Sequence, residues 1–398
     1  MRILYHHRTL AEDGQAVHIR ALIAAFRALG HEVREVSLVA RDARAQPAGA
    51  TGSGSGGSRS RYAWVAHAPR FARELLEYGY GRAARGSVLR AARAFDPRFL
   101  YERYAFGNTA GVRAARVLAK PLVLEVNSPM VLELAQTRGL SFPHLARRIE
   151  GRIFRSATLV CAVTGVLRDM LVEQGVARER ILVTQNGVDL ERYVHREGAR
   201  PLARAALGLG PEAAGELVLG FVGFYRDWHR LDLVLSAMGA PELAATRLVL
   251  VGEGPARAEV ERVAAERGLS ARVHFAGPRP HGEVPALLRA FDVGLVPAIN
   301  PYASPLKLFE YMAAGLCVIA PDQPNLREVL AHETDALLVA SGDRDSLQGA
   351  LVRLAGDAPL RARLGAAARA KVAALDLTWQ GNARRVIEAV EALRGSPT

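Results

Sequence analysis

Short apolar runs alternate along the chain with longer stretches whose apolar positions recur at helical spacing. The runs at 2–5, 33–39, 98–101, 121–126, 158–163 and 181–185 predict six strands in the first half. Those at 217–222, 247–251, 272–275, 292–296, 317–320 and 336–339 predict six in the second. Amphipathic helices are predicted between them, among them 16–29, 143–155, 165–174, 256–267 and 283–290. Continuous apolar runs, rather than strict alternation, suit parallel strands covered on both faces, so the pattern predicts two doubly wound α/β domains. A boundary is expected near 190–215, where Glu197, Gly198, Pro201, Gly208, Gly210, Pro211 and Gly215 cluster. The expected domains are 1–195 and 210–375, followed by a terminal helix within 376–398. In that helix Trp379, Val386, Ile387, Val390 and Leu393 repeat at helical spacing and predict a packing face. Gly49 to Ser60 is nearly all small residues and is expected to be a mobile loop.

Composition narrows the class. A chain of 398 residues exceeds one ordinary core. No run of about 18 apolar residues would cross a bilayer. The start, Met1 to Tyr5, lacks the length of a signal peptide and reads as a first strand, so a cytoplasmic protein is expected. Cys161 and Cys317 form neither a metal pattern nor a disulfide framework, and no metal is expected. The net charge of +12 is uneven: in residues 1–200 basic side chains outnumber acidic ones 31 to 18, while the remainder is near neutral. An anionic partner of the first half would explain this, as would an arginine-rich composition throughout. Scattered basic residues without an aromatic platform argue against nucleic acid. Arg82, Arg85, Arg90 and Arg93, with Val88, Leu89 and Phe95 nearby, suggest either a basic amphipathic helix for peripheral contact with an anionic membrane or a solvated helix.

Ser304-Pro305-Leu306-Lys307-Leu308-Phe309-Glu310 to Gly315 carries the most chemistry. Ser304 is expected to cap a helix with Pro305 at its first position, and Gly315 to end it. A helix start offers unpaired N–H groups and positive partial charge, which suit phosphate. Lys307 adds a cation, and Glu310 lies on the same face with a carboxylate fit for two hydroxyls. The layout matches a diphosphate followed by ribose, and equally a capped helix with a surface ion pair. Only three of the 52 basic residues are lysines, and Lys307 is one.

Other strand ends add candidates. After 217–222 come Gly223, Phe224, Tyr225, Arg226, Asp227, Trp228, His229 and Arg230, where an open α/β sheet binds ligands. Arg226 and His229 are candidates for phosphate contact, or members of a solvated loop. Val251-Gly252-Glu253-Gly254-Pro255 repeats the strand-then-glycine form, and Pro278, Arg279, Pro280 and His281 are a candidate wall for a nucleobase. Glu125 and Asn127 share one face of the strand at 121–126; a buried glutamate there is either functional or locked in an ion pair. Gly14 and Gln15 precede a helix that carries His18, and Gly14 would let a backbone approach a phosphate or sugar, or simply turn the chain. Asp343 reads as a helix cap rather than part of a metal motif.

With these pieces in order, the chain resembles glycosyltransferase family 4 of the GT-B architecture. Asn186-Gly187-Val188-Asp189, Phe221-Val222-Gly223, 251–255, 273–277, Asp292-Val293-Gly294 and 305–315 carry the resemblance; Tyr101-Glu102-Arg103-Tyr104 and 125–129 resemble one branch. The resemblance implies two Rossmann-like domains facing across a cleft and a terminal helix crossing back. It implies a nucleotide-diphosphate sugar as donor, transfer with retention to a glycan or lipid-linked acceptor, and no obligatory metal or cofactor. It implies donor contacts from Gly14, Gly223, Arg226, His229, Arg279, Ser304, Leu306, Lys307 and Glu310, with Glu310 on the ribose. Acceptor contacts are expected from Gln15, His18 and Arg103, and catalytic roles from Asn127, Glu125, Arg226 and Lys307. Tyr302 replaces a family glutamate, Phe224 an arginine and Asn127 a histidine. These departures leave a sugar-nucleotide epimerase of the same fold, or a binding subunit, as alternatives.

Overall fold

The computed structural model describes residues 1–9, 14–37, 69–194, 198–213 and 215–395. The Gly/Ser-rich stretch at 49–60 lies outside them. The chain divides into two compact units. Unit 1 comprises Met1–Val163, Leu167–Thr184 and Ala383–Thr398; unit 2 comprises Thr164–Val166 and Gln185–Asn382. The glycine- and proline-rich stretch at 190–215 therefore falls wholly inside unit 2.

Unit 1 contains β1 (Arg2–His6), β2 (Glu32–Val36), β3 (Phe99–Arg103), β4 (Leu122–Val126), β5 (Leu159–Ala162) and β6 (Ile181–Val183). They form one parallel sheet in the order β2-β1-β3-β4-β5-β6. Unit 2 contains β7 (Leu217–Val222), β8 (Thr246–Val251), β9 (Val273–Gly277), β10 (Val293–Leu295), β11 (Cys317–Pro321) and β12 (Leu337–Val339). Its order is β12-β11-β10-β7-β8-β9, again parallel. All twelve predicted strands are present, shifted by up to three residues at their ends. Successive side chains of β7 feed opposite faces: Val218 joins one hydrophobic core, and Leu217, Leu219 and Phe221 join the other. Both faces are covered, which is why the run reads as continuously apolar.

In each sheet the strand order reverses at one point, between β1 and β3 in unit 1 and between β7 and β10 in unit 2. Chains leave the sheet in opposite directions there, which opens a crevice at the carboxyl ends of the strands.

One expectation is corrected. The final helix, Trp379–Gly395, buries Trp379, Val386, Ile387 and Val390, but Leu393 is exposed and stands off the packing face. In the Arg70–Phe95 helix, Val88 and Phe95 belong to the core, and Arg82, Arg85, Arg90 and Arg93 are exposed. Leu89, the third apolar residue of that stretch, is half-buried. No helix among the described residues is long and apolar enough to cross a membrane.

Candidate functional site

In unit 2 the predicted residues converge at the β7/β10 crevice. The chain leaves β7 through Gly223, whose φ of +138° only glycine holds without strain. A Cβ there would lie 3.2 Å from the Lys307 Nζ, so the missing side chain is what lets the amine sit against the strand end. Gly252, after β8, has the same role for the backbone: its Cβ would come within 2.0 Å of the Gly223 carbonyl. The glycines of 251–255 thus serve the packing of two loops against each other.

Lys307 stands on the Leu306–Ala314 helix that follows β10, with its amine 3.6 Å from the centroid of the buried Phe221 ring. Burial lowers its pKa to about 7, and the Glu310 carboxylate only partly offsets this. The helix starts without a side-chain cap. Ser304, the predicted cap, is occupied elsewhere: its hydroxyl accepts from the Asn186 amide at 3.2 Å, and its carbonyl accepts from the Asn186 side chain. Pro305 stands at the cap position instead. The first backbone bond, from Leu308 N–H to the Pro305 carbonyl, leaves the Leu306 and Lys307 amides for a ligand.

His229 approaches the same place. Its Nδ1 accepts from the Arg226 amide at 3.2 Å, which sets the neutral ring with its proton on Nε2. Burial, then the charges of Lys307 and Arg226, push its pKa down to about 3, so the ring stays neutral in ordinary buffers. The Arg226 guanidinium lies 4.7 Å from the Phe224 ring centroid and 5.1 Å from that of Trp228, and both rings are exposed. It is an exposed cation that faces two aromatic rings.

Glu310, one turn below Lys307, is buried. Its Oε1 lies 2.6 Å from His281 Nε2, and the Tyr193 hydroxyl is close enough for the carboxylate to add to burial in raising that tyrosine's pKa. The expected isolated Lys307–Glu310 surface pair is therefore absent. Arg279 is turned away, donating to the Ala206 carbonyl at 3.3 Å. Tyr302, at the position of the missing family glutamate, is buried, with its hydroxyl 3.2 Å from the Asn300 amide.

Unit 1 gathers a second cluster around Glu125 on β4. Its carboxylate accepts from Tyr101 at 2.9 Å, Tyr5 at 3.3 Å, Arg103 and Asn127, and lies 3.1 Å from His18. Burial alone would raise its pKa, but His18, Arg103 and these hydrogen bonds hold it well below the usual carboxylate range. Glu125 is thus paired with Arg103 and His18, the ion-pair alternative open at the sequence level. His18, Arg103 and Asn127 come together on it. Gln15 lies exposed a turn before His18, where its carbonyl accepts from Thr9. Gly14 opens the Gly14–Ala28 helix, and the four residues before it lie outside the described region.

Sequence reasoning missed Tyr5, Tyr101 and Tyr193. Tyr193 had one signal, its place in the turn directly after Asn186-Gly187-Val188-Asp189. The tyrosines of β1 and β3 look like ordinary core residues until the strands pair. No group of three or more His, Cys, Asp or Glu able to hold a metal occurs among the described residues. Asp343 caps its helix as predicted, accepting from the Ser346 amide at 2.8 Å.

The family described as "Glycosyltransferase Family 4" matches residues 13–192, and that described as "Glycosyl transferases group 1" matches residues 216–357. The chain is 33% identical to a D-inositol 3-phosphate glycosyltransferase of Nocardia farcinica over 61% of this chain, and spans about half (54%) of that relative. It is 30% identical to the 2-deoxystreptamine glucosyltransferase of Streptomyces kanamyceticus over 65% of this chain and 67% of that one. Among solved structures, HepE of Anabaena, crystallised with UDP, superposes with a TM-score of 0.74 at 18% identity, covering 98% of this chain and 100% of that one. The two parallel sheets are those of the GT-B fold.

Proposed function

The chain belongs to glycosyltransferase family 4, and from that premise we propose that it transfers a glycosyl group from a nucleoside-diphosphate sugar to a hydroxyl acceptor. One observation carries the reading: the Leu306–Ala314 helix begins uncapped, with a lysine of lowered pKa beside it and a glycine that clears its approach. A diphosphate supplies the charge this place lacks.

In the proposed reaction the bond between the anomeric carbon and the diphosphate oxygen breaks, and its electron pair leaves with the nucleoside diphosphate. Lys307, the Leu306 and Lys307 amides and the His229 Nε2–H stabilise that growing charge; one such donor is worth roughly 3–4 kcal/mol in the transition state. The acceptor oxygen bonds to the anomeric carbon on the same face, giving retention. Its proton passes to a phosphate oxygen of the departing group. Glu310 takes the ribose hydroxyls. Asn127, whose amide is neutral, orients the transferred sugar by hydrogen bonds. No metal is assigned a step.

The relatives' names point to small polyhydroxylated rings, an inositol phosphate and 2-deoxystreptamine, and an acceptor of that kind suits this reading. A lipid-linked acceptor with peripheral membrane contact is the second reading. It is favoured by exposed Phe71, Leu75 and Leu76 at the start of the arginine-rich Arg70–Phe95 helix. Flotation with anionic vesicles separates the two, and an absence of salt-sensitive binding removes the second. The primary test is a thermal-shift panel of UDP-, GDP- and ADP-sugars followed by product analysis with and without acceptor. Donor-dependent sugar transfer is expected; conversion of a nucleotide sugar in the absence of acceptor would favour an epimerase instead.

A further inference from the structure

Two side chains from outside its own helix hold Glu310, and both lead back to one short turn. Tyr193, buried at the end of the 3-10 turn Leu190–Tyr193, has its hydroxyl beside the carboxylate, and burial together with that carboxylate raises its pKa. His281, on the loop after β9, places Nε2 at 2.6 Å from Oε1. The His281 loop is itself pinned by Arg192 of the same turn, whose guanidinium donates to the carbonyls of His281 at 3.3 Å and Gly282 at 3.2 Å. The turn is anchored in its own right. Asp189 accepts from the Glu191 amide at 3.2 Å, and Arg369 donates to the Tyr193 carbonyl at 2.7 Å.

We infer that Arg192 and Tyr193 are positioning residues for the nucleoside end of the donor. The turn sets both the carboxylate that meets the ribose and the 278–282 loop beside it. An ionised carboxylate has about four acceptor positions, so Tyr193 and His281 leave capacity for a vicinal diol while fixing the rotation of the group. A buried tyrosine and a guanidinium spanning two carbonyls each hold one geometry, which lowers the ordering cost when the nucleoside docks. The phosphate end is built from other parts, Lys307 and the amides of the helix start. The inference rests on the donor reading above.

The test uses the full chain and calorimetric titration with UDP, GDP and ADP, taking forward whichever binds, alongside inorganic diphosphate. Tyr193→Phe keeps the ring and removes only the hydroxyl. It is expected to weaken the nucleoside diphosphate about tenfold or more, the usual scale for a hydrogen bond to a charged group, and to leave inorganic diphosphate binding unchanged. Arg192→Ala should weaken the nucleoside diphosphate in the same selective way, and Arg192→Lys should recover part of the loss. In the transfer reaction both should raise the donor KM and spare kcat. Unchanged nucleoside diphosphate binding in Tyr193→Phe would overturn the inference, as would an equal loss for both probes, which marks a general packing role. A wild-type protein that binds inorganic diphosphate but none of the three nucleoside diphosphates would instead bring down the donor reading, and this inference with it.

Discussion

Three helix starts of unit 1 and one of unit 2 are treated in opposite ways. In unit 1, buried glutamates reach them from distant elements. Glu102 on β3 accepts from the Gly111 amide at 2.8 Å at the start of the Ala110–Leu118 helix. Glu150 accepts from the Val131 amide at 3.1 Å at the start of Met130–Thr137. Glu74 accepts from the amides of Ser141 and Phe142 just ahead of Pro143–Ser156. Each of these partial positive charges is already answered by a carboxylate of the protein. In unit 2 the Leu306–Ala314 helix starts with no side-chain cap, and a lysine stands beside it instead. The same backbone physics stabilises the fold in the first case and leaves an opening for an exogenous anion in the second.

The largest effect expected is on the most heavily paired carboxylate. Glu125→Ala strands Arg103 and His18 in the interior and should cost about 3–5 kcal/mol of stability by chemical denaturation, the scale for breaking a buried ion pair. Little loss would mean that the cluster is not the lock described here. Lys307→Ala should behave in the opposite sense, with turnover falling roughly 10²–10³-fold, as for loss of a transition-state donor, and the fold intact. Unchanged turnover in a folded variant would erase the distinction between the two kinds of helix start. Glu150→Leu leaves the Tyr104 hydroxyl and the Val131 amide unpaired, for a loss of about 1–3 kcal/mol without a change in donor affinity.

The subtlest expectation concerns pH. Because the Lys307 pKa is lowered to about 7 in the free protein, its charge is lost as pH rises through that value. The donor kcat/KM should therefore fall above pH 7, and Lys307→Arg should flatten the profile. The stability consequence has the opposite sign. An unfolded lysine titrates near ~10.4, so between about 7 and that value the unfolded chain binds more protons, and stability rises with pH. The cost of the buried charge is complete below pH 7, so Lys307→Met should melt above wild type at pH 6. An equal or lower melting point would show that contact with Phe221 already compensates the burial.

Much of the architecture was legible in the residues. Strands such as β7 were legible because a covered parallel strand must be apolar on both faces, whereas the edge strand β2 keeps Glu32, Arg34 and Glu35 exposed. The strand-end glycines at 223 and 252 were visible, as were Lys307, Glu310 and His229. Their partners were not. Ser304 looked like a cap because Ser-Pro before an apolar helix usually is one, but Asn186, over a hundred positions earlier, took its hydroxyl. Arg279 was read as part of a wall for a nucleobase, and its bond to the Ala206 carbonyl could not be read from the sequence. Glu125 stood as either functional or paired until β1, β3 and the Gly14–Ala28 helix brought four further side chains to it.

Period and composition act through neighbours along the chain, so strands, helices, glycine turns and the family likeness could be read from the order of residues. Charge acts through space, and in a low-dielectric interior a few ångströms decide whether a carboxylate is a cap, a lock or a ligand for ribose. Which amide tips were filled from within, and which one was left open beside an amine, emerged only once distant segments had packed together.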